Sequence, residues 1–565
     1  MASGFRKLKM QLAALSRRFG SARVRKPNCQ ARYVAGCPDR LLIAPQDLRT
    51  TDPTLADDIY AGLFVFAGQV ENCDGHSPFA HISRSQDWTR ELHGFRWLRH
   101  LRASSTPLTK SNAQILVDDW IKRSRQHAPQ AWELDVTAHR VMAWLNNSPL
   151  ILQNADHDFY RQFIRALYLQ IRYLRASFQS SPKNEIRLFI LMAELAGWLA
   201  LSGKERYVKA TAKRLVSELE DQILPDGGHV SRNSMVLIQC LLELLPLRQA
   251  FLARDMVPPD GLLDAIERMM PMLRFFRHPS GEMAHFNGAG ATPADLLATI
   301  LAYDETRGAP VANASFSGYH RLEAGPMLAL FDYGDRPPLE QSVQAHAGTF
   351  AFELSIGQSP LVVNCGAPSN RHENWRELAR STAAHSTMIV QDTNTCEFGT
   401  RIADLHGRPI LVGPGSIYCE RTLEHGQETI TAHHDAYAAQ FGIRHNRKLW
   451  MAIDGRRLDG QDALLPRGSG IKRGQDAYAI RFHLHPSVHV ELNAEEDRAY
   501  FALSNGEIWH FVCQDSHIVL EESVFLSDIH GIRPTKQLVL HGHASHISSI
   551  HWYFERVSFA QPNAE

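Results

Sequence analysis

The feature that most constrains the fold is a change in the spacing of apolar residues near positions 305–315. From residue 55 to residue 303, apolar residues recur every three or four positions, as at Phe163, Leu167 and Ile171, and this spacing predicts amphipathic helices. From about residue 315, short β-branched or alternating runs are separated by Gly, Asn and Asp, a pattern typical of strands. The sequence therefore predicts a helical half followed by a half built from strands.

Each half is expected to hold a core of its own, because 565 residues exceed the size at which a single core keeps growing. The segment 186–201 is largely apolar, so its helix must be covered on several sides, as in a layered or toroidal helix array. Repeated short strands without intervening helices indicate an antiparallel sandwich. We expect a basic extension over residues 1–50, a helical domain over 51–305 and a sandwich over 315–560.

The charge and the cysteines argue against three classes of protein. Sixty Lys and Arg residues are balanced by sixty Asp and Glu residues, so the chain has no net field that would draw nucleic acid. We therefore expect no nucleic-acid partner. Eight cysteines are scattered without a Cys-x-x-Cys pair, which fits neither a dense disulfide framework nor a structural zinc module.

The N-terminal segment is basic, but it lacks the continuous apolar run of a secretory signal. Leu8, Leu12, Leu15 and Phe19 recur near helical spacing, which is compatible with a short amphipathic helix that contacts anionic lipid or with a solvated tail. No apolar stretch of about eighteen residues is evident, so we expect no transmembrane helix. The lack of a signal favours a cytoplasmic location.

Four short motifs in the second half carry a family resemblance. They are Ala345-His346-Ala347-Gly348, Val362-Val363-Asn364-Cys365-Gly366, Ala384-His385-Ser386-Thr387 and His434-Asp435-Ala436-Tyr437. This half resembles the C-terminal domain of the heparinase II/III polysaccharide lyases, and the helical half resembles their N-terminal toroid. The resemblance implies an α+β multidomain fold, with an N-terminal incomplete (α/α) toroid followed by a C-terminal antiparallel β-sandwich.

The resemblance also implies a chemistry and a ligand. Family members cleave uronic-acid polysaccharides by β-elimination in the cleft between toroid and sandwich, so the expected ligand is an anionic polysaccharide or oligosaccharide. In that reaction donors stabilise charge on the uronate carboxylate, a base removes the C5 proton and an acid protonates the departing O4 oxygen. Such substrates imply the cell envelope or periplasm, which stands against the cytoplasmic location that the N-terminus favours.

In the helical half, the resemblance assigns three candidate catalytic residues. Asn184 falls where relatives carry an Asn that neutralises the substrate carboxylate, although an Asn before a helix is equally an N-cap. Arg187, three residues further, is predicted to bind substrate. His229 and Arg232 lie in a segment similar to the family's second toroid motif, with a turn network as the alternative. The family's catalytic tyrosine falls near Val236, which cannot exchange a proton.

In the sandwich, the resemblance places His346 and His385 where relatives carry zinc ligands. Asn364 stands at the position of an aspartate ligand, and Gln344 stands where relatives carry a catalytic histidine. His346 is a candidate for acid-base chemistry and for metal binding, and structurally satisfied histidines are the alternative. Because an amide is a poor substitute for a carboxylate ligand, we expect no required cofactor, with structural zinc at these histidines as the cofactor that the resemblance allows.

The remaining candidates lie elsewhere in the second half. Tyr437 is a candidate to replace the missing tyrosine if the fold brings it into the cleft, while Trp375, Arg376 and His434 are predicted to bind substrate. The leading hypothesis is a lyase-like protein that eliminates across a uronate glycosidic bond with a non-standard catalytic set. The alternative is a noncatalytic glycan-binding or accessory protein of envelope polysaccharide metabolism. Neither hypothesis fixes the oligomeric state.

Overall fold

The computed structural model describes residues 33–557 except positions 74, 82, 84, 105, 125, 305–307, 369–372, 403–407, 414, 425–426, 469 and 473. The amphipathic helix predicted around residues 8–19 lies outside the described residues. Helices occupy the first part of the described chain and strands the second, with the change between Leu301 and Asn313. The predicted change of period is therefore the boundary between two architectures.

The helical domain is an array of helices with one small hairpin. Its helices are α1 (Pro53–Tyr60), α2 (Gln86–Gly94), α3 (Leu98–Ala103), α4 (Pro107–Arg123), α5 (Leu134–Asn146), α6 (Ser148–Ile151), α7 (His157–Ser177), α8 (Glu185–Ala200), α9 (Glu205–Gln222), α10 (Ser234–Leu252), α11 (Asp260–Phe275) and α12 (Ala294–Leu301). The hairpin pairs β1 (Leu63–Phe66) with β2 (Gln69–Asn72) in antiparallel register.

Helix α8 lies at the centre of the helical domain. All residues from 188 to 200 are buried, and the helix packs against α5, α7, α9 and α10. Gly197 allows α7 to approach closely, because a Cβ at this position would lie 2.4 Å from the side chain of Ile171. Because other helices surround α8, its residues are apolar on every side of the helix.

Helix α10 is long and apolar enough to cross a membrane by length and composition, but its burial agrees with the prediction of no transmembrane helix. It is the one such helix in the part of the chain that the structure describes. Within its most apolar window, 72% is buried inside the protein, where the helix packs against α8, α11 and α12. Its apolar composition is that of a core helix.

The second domain consists of antiparallel strands with two short helices, α13 (Glu373–Leu378) and α14 (Ala438–Phe441). Its strands are β3 (Asn313–Ala314), β4 (Tyr319–Ala324), β5 (Met327–Asp332), β6 (Phe352–Ile356), β7 (Ser359–Val363), β8 (Met388–Val390), β9 (Glu397–Ile402), β10 (Arg408–Val412), β11 (Ile417–Glu424), β12 (Gln427–His434), β13 (Ile443–Met451), β14 (Arg457–Pro466), β15 (Ala477–Leu484), β16 (His489–Leu492), β17 (Arg498–Ala502), β18 (Ile508–Cys513), β19 (Ile518–Phe525), β20 (Arg533–His543) and β21 (Ser549–Arg556).

Apart from β9 and β10, which pair only with each other, these strands form two large sheets that pack face to face. One sheet has the order β11-β12-β13-β14-β21-β18-β17-β16, and the other has the order β19-β20-β15-β7-β6-β5-β4-β3, with β8 paired to β15. Between them, the ring of Trp552 stacks on Phe352 with centroids 5.6 Å apart, and Phe482 contacts Phe511 at 4.8 Å. Gly460 in β14 leaves room for Trp552, because a Cβ there would lie 2.1 Å from its ring. The domain is therefore an antiparallel β-sandwich, as predicted.

A buried ion pair joins the two domains. Arg232, in the loop before α10, forms an ion pair with Asp332 at the end of β5, and its guanidinium lies 4.6 Å from the ring centre of Tyr319. Arg232 also donates to the carbonyl of Ser317 at 2.8 Å, and the hydroxyl of Tyr319 donates back to the carbonyl of Arg232 at 2.9 Å. These contacts hold the helical domain against the first hairpin of the sandwich.

A second buried cluster surrounds Glu353 on β6. Its Oε1 accepts hydrogen bonds from the backbone amides of Asn364 at 3.0 Å and His285 at 3.1 Å, and its Oε2 lies 3.0 Å from Nε2 of His278. Both histidines belong to the segment between α11 and α12, whereas Asn364 follows β7. The carboxylate therefore ties the end of the helical domain to the centre of one sheet.

We predict that Asp332→Ala destabilises the protein by about 3–5 kcal/mol, because it leaves the buried Arg232 guanidinium without its carboxylate. Urea denaturation measures the effect. The matched control is Glu205→Ala, which removes the partner of Arg254 from a pair in which the Glu205 side chain is 57% exposed, and should cost less than about 1 kcal/mol. Equal losses of stability in the two variants would contradict the importance of the ion pair between Arg232 and Asp332.

Candidate functional site

A cavity of about 690 Å³ lies between the helical domain and the sandwich, and we call it the interdomain cavity. Helices α1, α2, α3, α5 and α10 supply one wall, and the loops around Gln344, Ala367 and Arg380 supply the other. A recess of this size between two domains is where ligand sites in proteins commonly form. The interdomain cavity is therefore the candidate functional site.

The walls of the interdomain cavity carry more positive than negative side chains. The arginines are Arg90, Arg96, Arg99, Arg376 and Arg380, and the carboxylates are Asp58, Asp87, Glu91 and Asp135. Among these residues the five cations exceed the four anions by one charge. Since charges in an enclosed recess interact more strongly than charges in water, this excess favours an anionic ligand.

His346 and His385 contact each other rather than a third ligand. Nδ1 of His346 lies 3.1 Å from Nε2 of His385, and Nδ1 of His385 lies 2.7 Å from the carbonyl oxygen of Ser381. A carbonyl only accepts, so His385 donates from Nδ1 and accepts at Nε2 from His346. The remaining nitrogen of His346, Nε2, is then unprotonated, and it has no hydrogen-bond partner among the described residues. The hydrogen-bond network therefore leaves the lone pair on Nε2 of His346, a residue that lines the interdomain cavity.

The local sequence explains how the two rings meet. Gly348 lies against His385, because a Cβ at this position would lie 2.6 Å from the imidazole. Burial lowers the pKa of His385 to about 4, and burial together with His385 lowers the pKa of His346 well below its usual range. Both imidazoles are therefore neutral at physiological pH.

The histidine pair does not present a zinc ligand set. Asn364 uses Nδ2 to donate to Glu353 at 3.1 Å and Oδ1 to accept from the backbone amide of Ser386 at 3.0 Å. Within the described ranges, no group of three or more His, Cys, Asp or Glu side chains is arranged to hold a metal ion. The residues present therefore do not fit the zinc site that the resemblance allows, and the amide of Asn364 has a structural contact instead.

Asn184 and His229 share one buried network that does not line the interdomain cavity. Asn184 caps α8 by accepting from the backbone amide of Ile186 at 3.2 Å, which is the N-cap alternative. Gln222 links the two candidates, because it donates to the carbonyl of Asn184 at 3.0 Å and lies 2.9 Å from Nε2 of His229. Burial lowers the pKa of His229 to about 3, so this imidazole is neutral.

Two arginines predicted from the helical half also lie away from the interdomain cavity. Arg232 belongs to the domain junction, where carbonyls and Asp332 occupy its guanidinium. Arg187 lies 3.6 Å from Glu218 and packs over the ring of Phe178 at 4.3 Å. Both guanidiniums therefore serve packing and ion pairing inside the fold, which corrects their assignment to the site.

Tyr437 and His434 are corrected more strongly, because both are fully buried in the sandwich. The hydroxyl of Tyr437 donates to the carbonyl of Met388 at 3.2 Å, and Nε2 of His434 lies 3.1 Å from Nδ1 of His445. Trp375 packs against a small apolar cluster around Cys365. Tyr437 therefore does not replace the missing tyrosine, since the fold directs it into the core.

Of the predicted substrate-binding residues, the structure places Arg376 on the interdomain cavity, 3.9 Å from Asp87. His346, predicted as catalytic, lines it as well. Sequence reasoning missed the cationic wall formed by Arg96 and Arg99. The sequence carried one indication of this wall: Arg96 lies between two aromatic residues, Phe95 and Trp97, and both of them are buried.

Comparisons with known proteins agree with this architecture. Residues 306–553 match the family model described as Heparinase II/III-like, C-terminal. The crystal structure of heparinase III superposes with a TM-score of 0.70 at 12% identity, covering 95% of this chain and 90% of that one. A mutant of heparan sulfate lyase HepC from Pedobacter heparinus gives 0.60 at 13%, covering 94% and 88%. At these identities the likeness shows the fold.

A curated relative is similar over most of its length. FtsZ-localized protein C of Caulobacter vibrioides is 28% identical over 474 residues, which is 80% of this chain and 79% of the relative. Its name states a localisation and no reaction.

We predict that Asn364→Asp destabilises the protein by about 2–4 kcal/mol at pH 7, because it places a second carboxylate beside Glu353. The cost should shrink in acid, since like charge raises the pKa of one carboxyl and its protonation removes the repulsion. It should also shrink in the Glu353→Gln background, because only one charge then remains. Thermal unfolding measures each variant.

A neutral effect of Asn364→Asp, or a rise in its melting midpoint on adding zinc, would contradict this account. A neutral effect would mean that the new carboxylate is not repelled by Glu353, and stabilisation by zinc would mean that position 364 faces a metal site.

Proposed function

Residues 306–553 of this chain match the Heparinase II/III-like, C-terminal family model, and from this match we propose that the protein binds an anionic polysaccharide or oligosaccharide in the interdomain cavity. The observation that carries the proposal is the arginine-rich wall between the two domains. Arginine is suited to this role because its planar guanidinium donates two parallel hydrogen bonds to a carboxylate or sulfate.

The rest of the cavity suits the neutral part of a sugar. Carboxylates such as Asp58 accept hydrogen bonds from hydroxyl groups. A wall with cations in one part and hydrogen-bond acceptors in another fits a saccharide that carries both hydroxyl and acidic groups. A nucleic acid, with one phosphate per nucleotide, would meet repulsion from the carboxylates.

β-Elimination is a second candidate function, and one observation favours it. The hydrogen-bond chain from Ser381 through His385 leaves Nε2 of His346 as an unprotonated acceptor on the cavity wall. A base in this state can remove a C5 proton from a bound uronate. Among the described residues that line the cavity there is no tyrosine, so the departing oxygen would take its proton from water.

The binding role is the primary proposal, since the cavity offers a cationic wall but lacks a side chain suited to protonate the leaving group. The relative from Caulobacter also supports it, because that protein is named for localisation with FtsZ. We place this chain, too, in an accessory role in envelope polysaccharide metabolism at the site of FtsZ. A fluorescent fusion that is spread evenly through the cell would contradict that placement.

We predict that the protein binds an unsulfated uronate oligosaccharide, that added salt weakens the binding, and that a neutral oligosaccharide of equal length does not bind. Isothermal titration calorimetry measures all three, because the cationic wall supplies the discrimination. The proposal fails if the neutral and anionic sugars bind equally or if neither binds.

Ultraviolet absorbance of unsaturated uronates, followed with the same polymer, decides between binding and elimination. The primary proposal expects no absorbance change. An increase that His346→Ala abolishes while sugar binding persists would instead establish the second candidate.

A further inference from the structure

Arg96 differs from the other arginines of the interdomain cavity because its guanidinium makes no hydrogen bond or ion pair with any described residue. Arg90 donates to Glu133 at 2.6 Å and to Asp87 at 2.8 Å. Arg380 donates to the carbonyls of Ala345 and Ser342 at 2.9 and 3.1 Å. In the free protein, therefore, no described residue compensates the charge of Arg96 through a direct contact.

The backbone fixes Arg96 in this position. Residues 92–95 and 97–98 are all buried, and Arg96 alone in this run is exposed. The turn depends on Phe95, a non-glycine residue in the left-handed region with a φ of 57°. The ring of Phe95 packs between Phe79 at 5.4 Å and Trp97 at 5.1 Å, which holds the strained backbone. Strain of this kind is retained where the surrounding structure requires one side-chain position.

Two further arginines lie beside Arg96. It lines a second cavity of about 10 Å³, with room for about one water molecule, together with Arg49 and Arg99 and with the carboxylates of Asp47 and Glu243. Partial removal of water from the guanidinium in this recess, with Arg49 and Arg99 nearby, lowers the pKa of Arg96 to about 10, although Glu243 and Asp47 oppose the shift. Arg49 is neutralised by Glu243 and by Asp47 at 3.2 Å, whereas Arg99 donates to backbone carbonyls. An oxyanion bound here would relieve this repulsion.

We infer that Arg96, with Arg99 beside it, is the residue that anchors the acidic group of the bound saccharide and determines its specificity. This inference rests on the proposed function and deepens it. The cavity has one more cation than it has carboxylates, so its charge is complementary to a stretch of saccharide that carries one acidic group. The ligand class is therefore an unsulfated carboxylate-bearing glycan, because a densely sulfated chain would bring further anions against Asp58 and Glu91.

The test compares Arg96→Gln with Arg102→Gln by calorimetry at low salt, using an unsulfated uronate hexasaccharide. Arg102 is an exposed arginine of the same segment that does not line the cavity, so both variants lose one charge. We expect Arg96→Gln to weaken binding by about 10–100-fold, the loss of one charge-assisted bidentate contact. Arg102→Gln should remain within about twofold of the wild type, and Arg96→Lys should be intermediate because it keeps the charge without the fork.

The thermal midpoint separates an anchoring role from a structural one. Because Arg96 is repelled in the free protein, Arg96→Gln should melt at the same temperature as the wild type or higher. Wild-type affinity in Arg96→Gln would overturn this inference and leave the proposed function standing. A loss of affinity accompanied by a lower melting midpoint would do the same, because the substitution would then have destabilised the fold. Tighter binding of a sulfated hexasaccharide would overturn the specificity. A wild-type protein that binds no acidic glycan would overturn both proposals.

Discussion

The cleft depends on one fully buried carboxylate, Glu353, which fixes the sandwich to the end of the helical domain. Burial alone would raise the pKa of this carboxyl, but His285 and His278 reverse the effect and hold the pKa below its usual range. An unpaired charge at this depth would cost several kcal/mol, so its hydrogen bonds must form together. This carboxylate also fixes part of the cavity wall, because Gly288 and Ala367, three residues after His285 and Asn364, line the interdomain cavity.

The fold was largely predictable because burial patterns are local. The segment that became β5 reads as an apolar run, and that of α8 as a helix covered on all sides, without knowledge of their neighbours. The site was less predictable. His346 and Arg376 were identified through resemblance, but the resemblance could not show that Tyr437 turns into the core. Arg96 was missed because its role depends on the left-handed backbone of Phe95 and on Arg49, which is distant in sequence.

The departures from the family pattern have one physical consequence in common. Where the resemblance expects a metal site, Asn364 donates to Glu353, and His346 and His385 are bonded to each other. Where it expects a tyrosine, Val236 is buried. These replacements keep the fold and its cleft but lack the tyrosine and the carboxylate that the resemblance expects. The cationic wall is what remains, and our account therefore assigns the cleft to recognition of an acidic sugar.

The most direct measurement is a crystal structure of the protein with an unsulfated uronate hexasaccharide. The account predicts sugar density in the interdomain cavity, with a carboxylate within hydrogen-bond distance of the Arg96 guanidinium and hydroxyl groups directed toward the cavity carboxylates. Density confined to the outer face of either sheet, or a carboxylate held elsewhere in the cavity while Arg96 stays without a ligand, would contradict it.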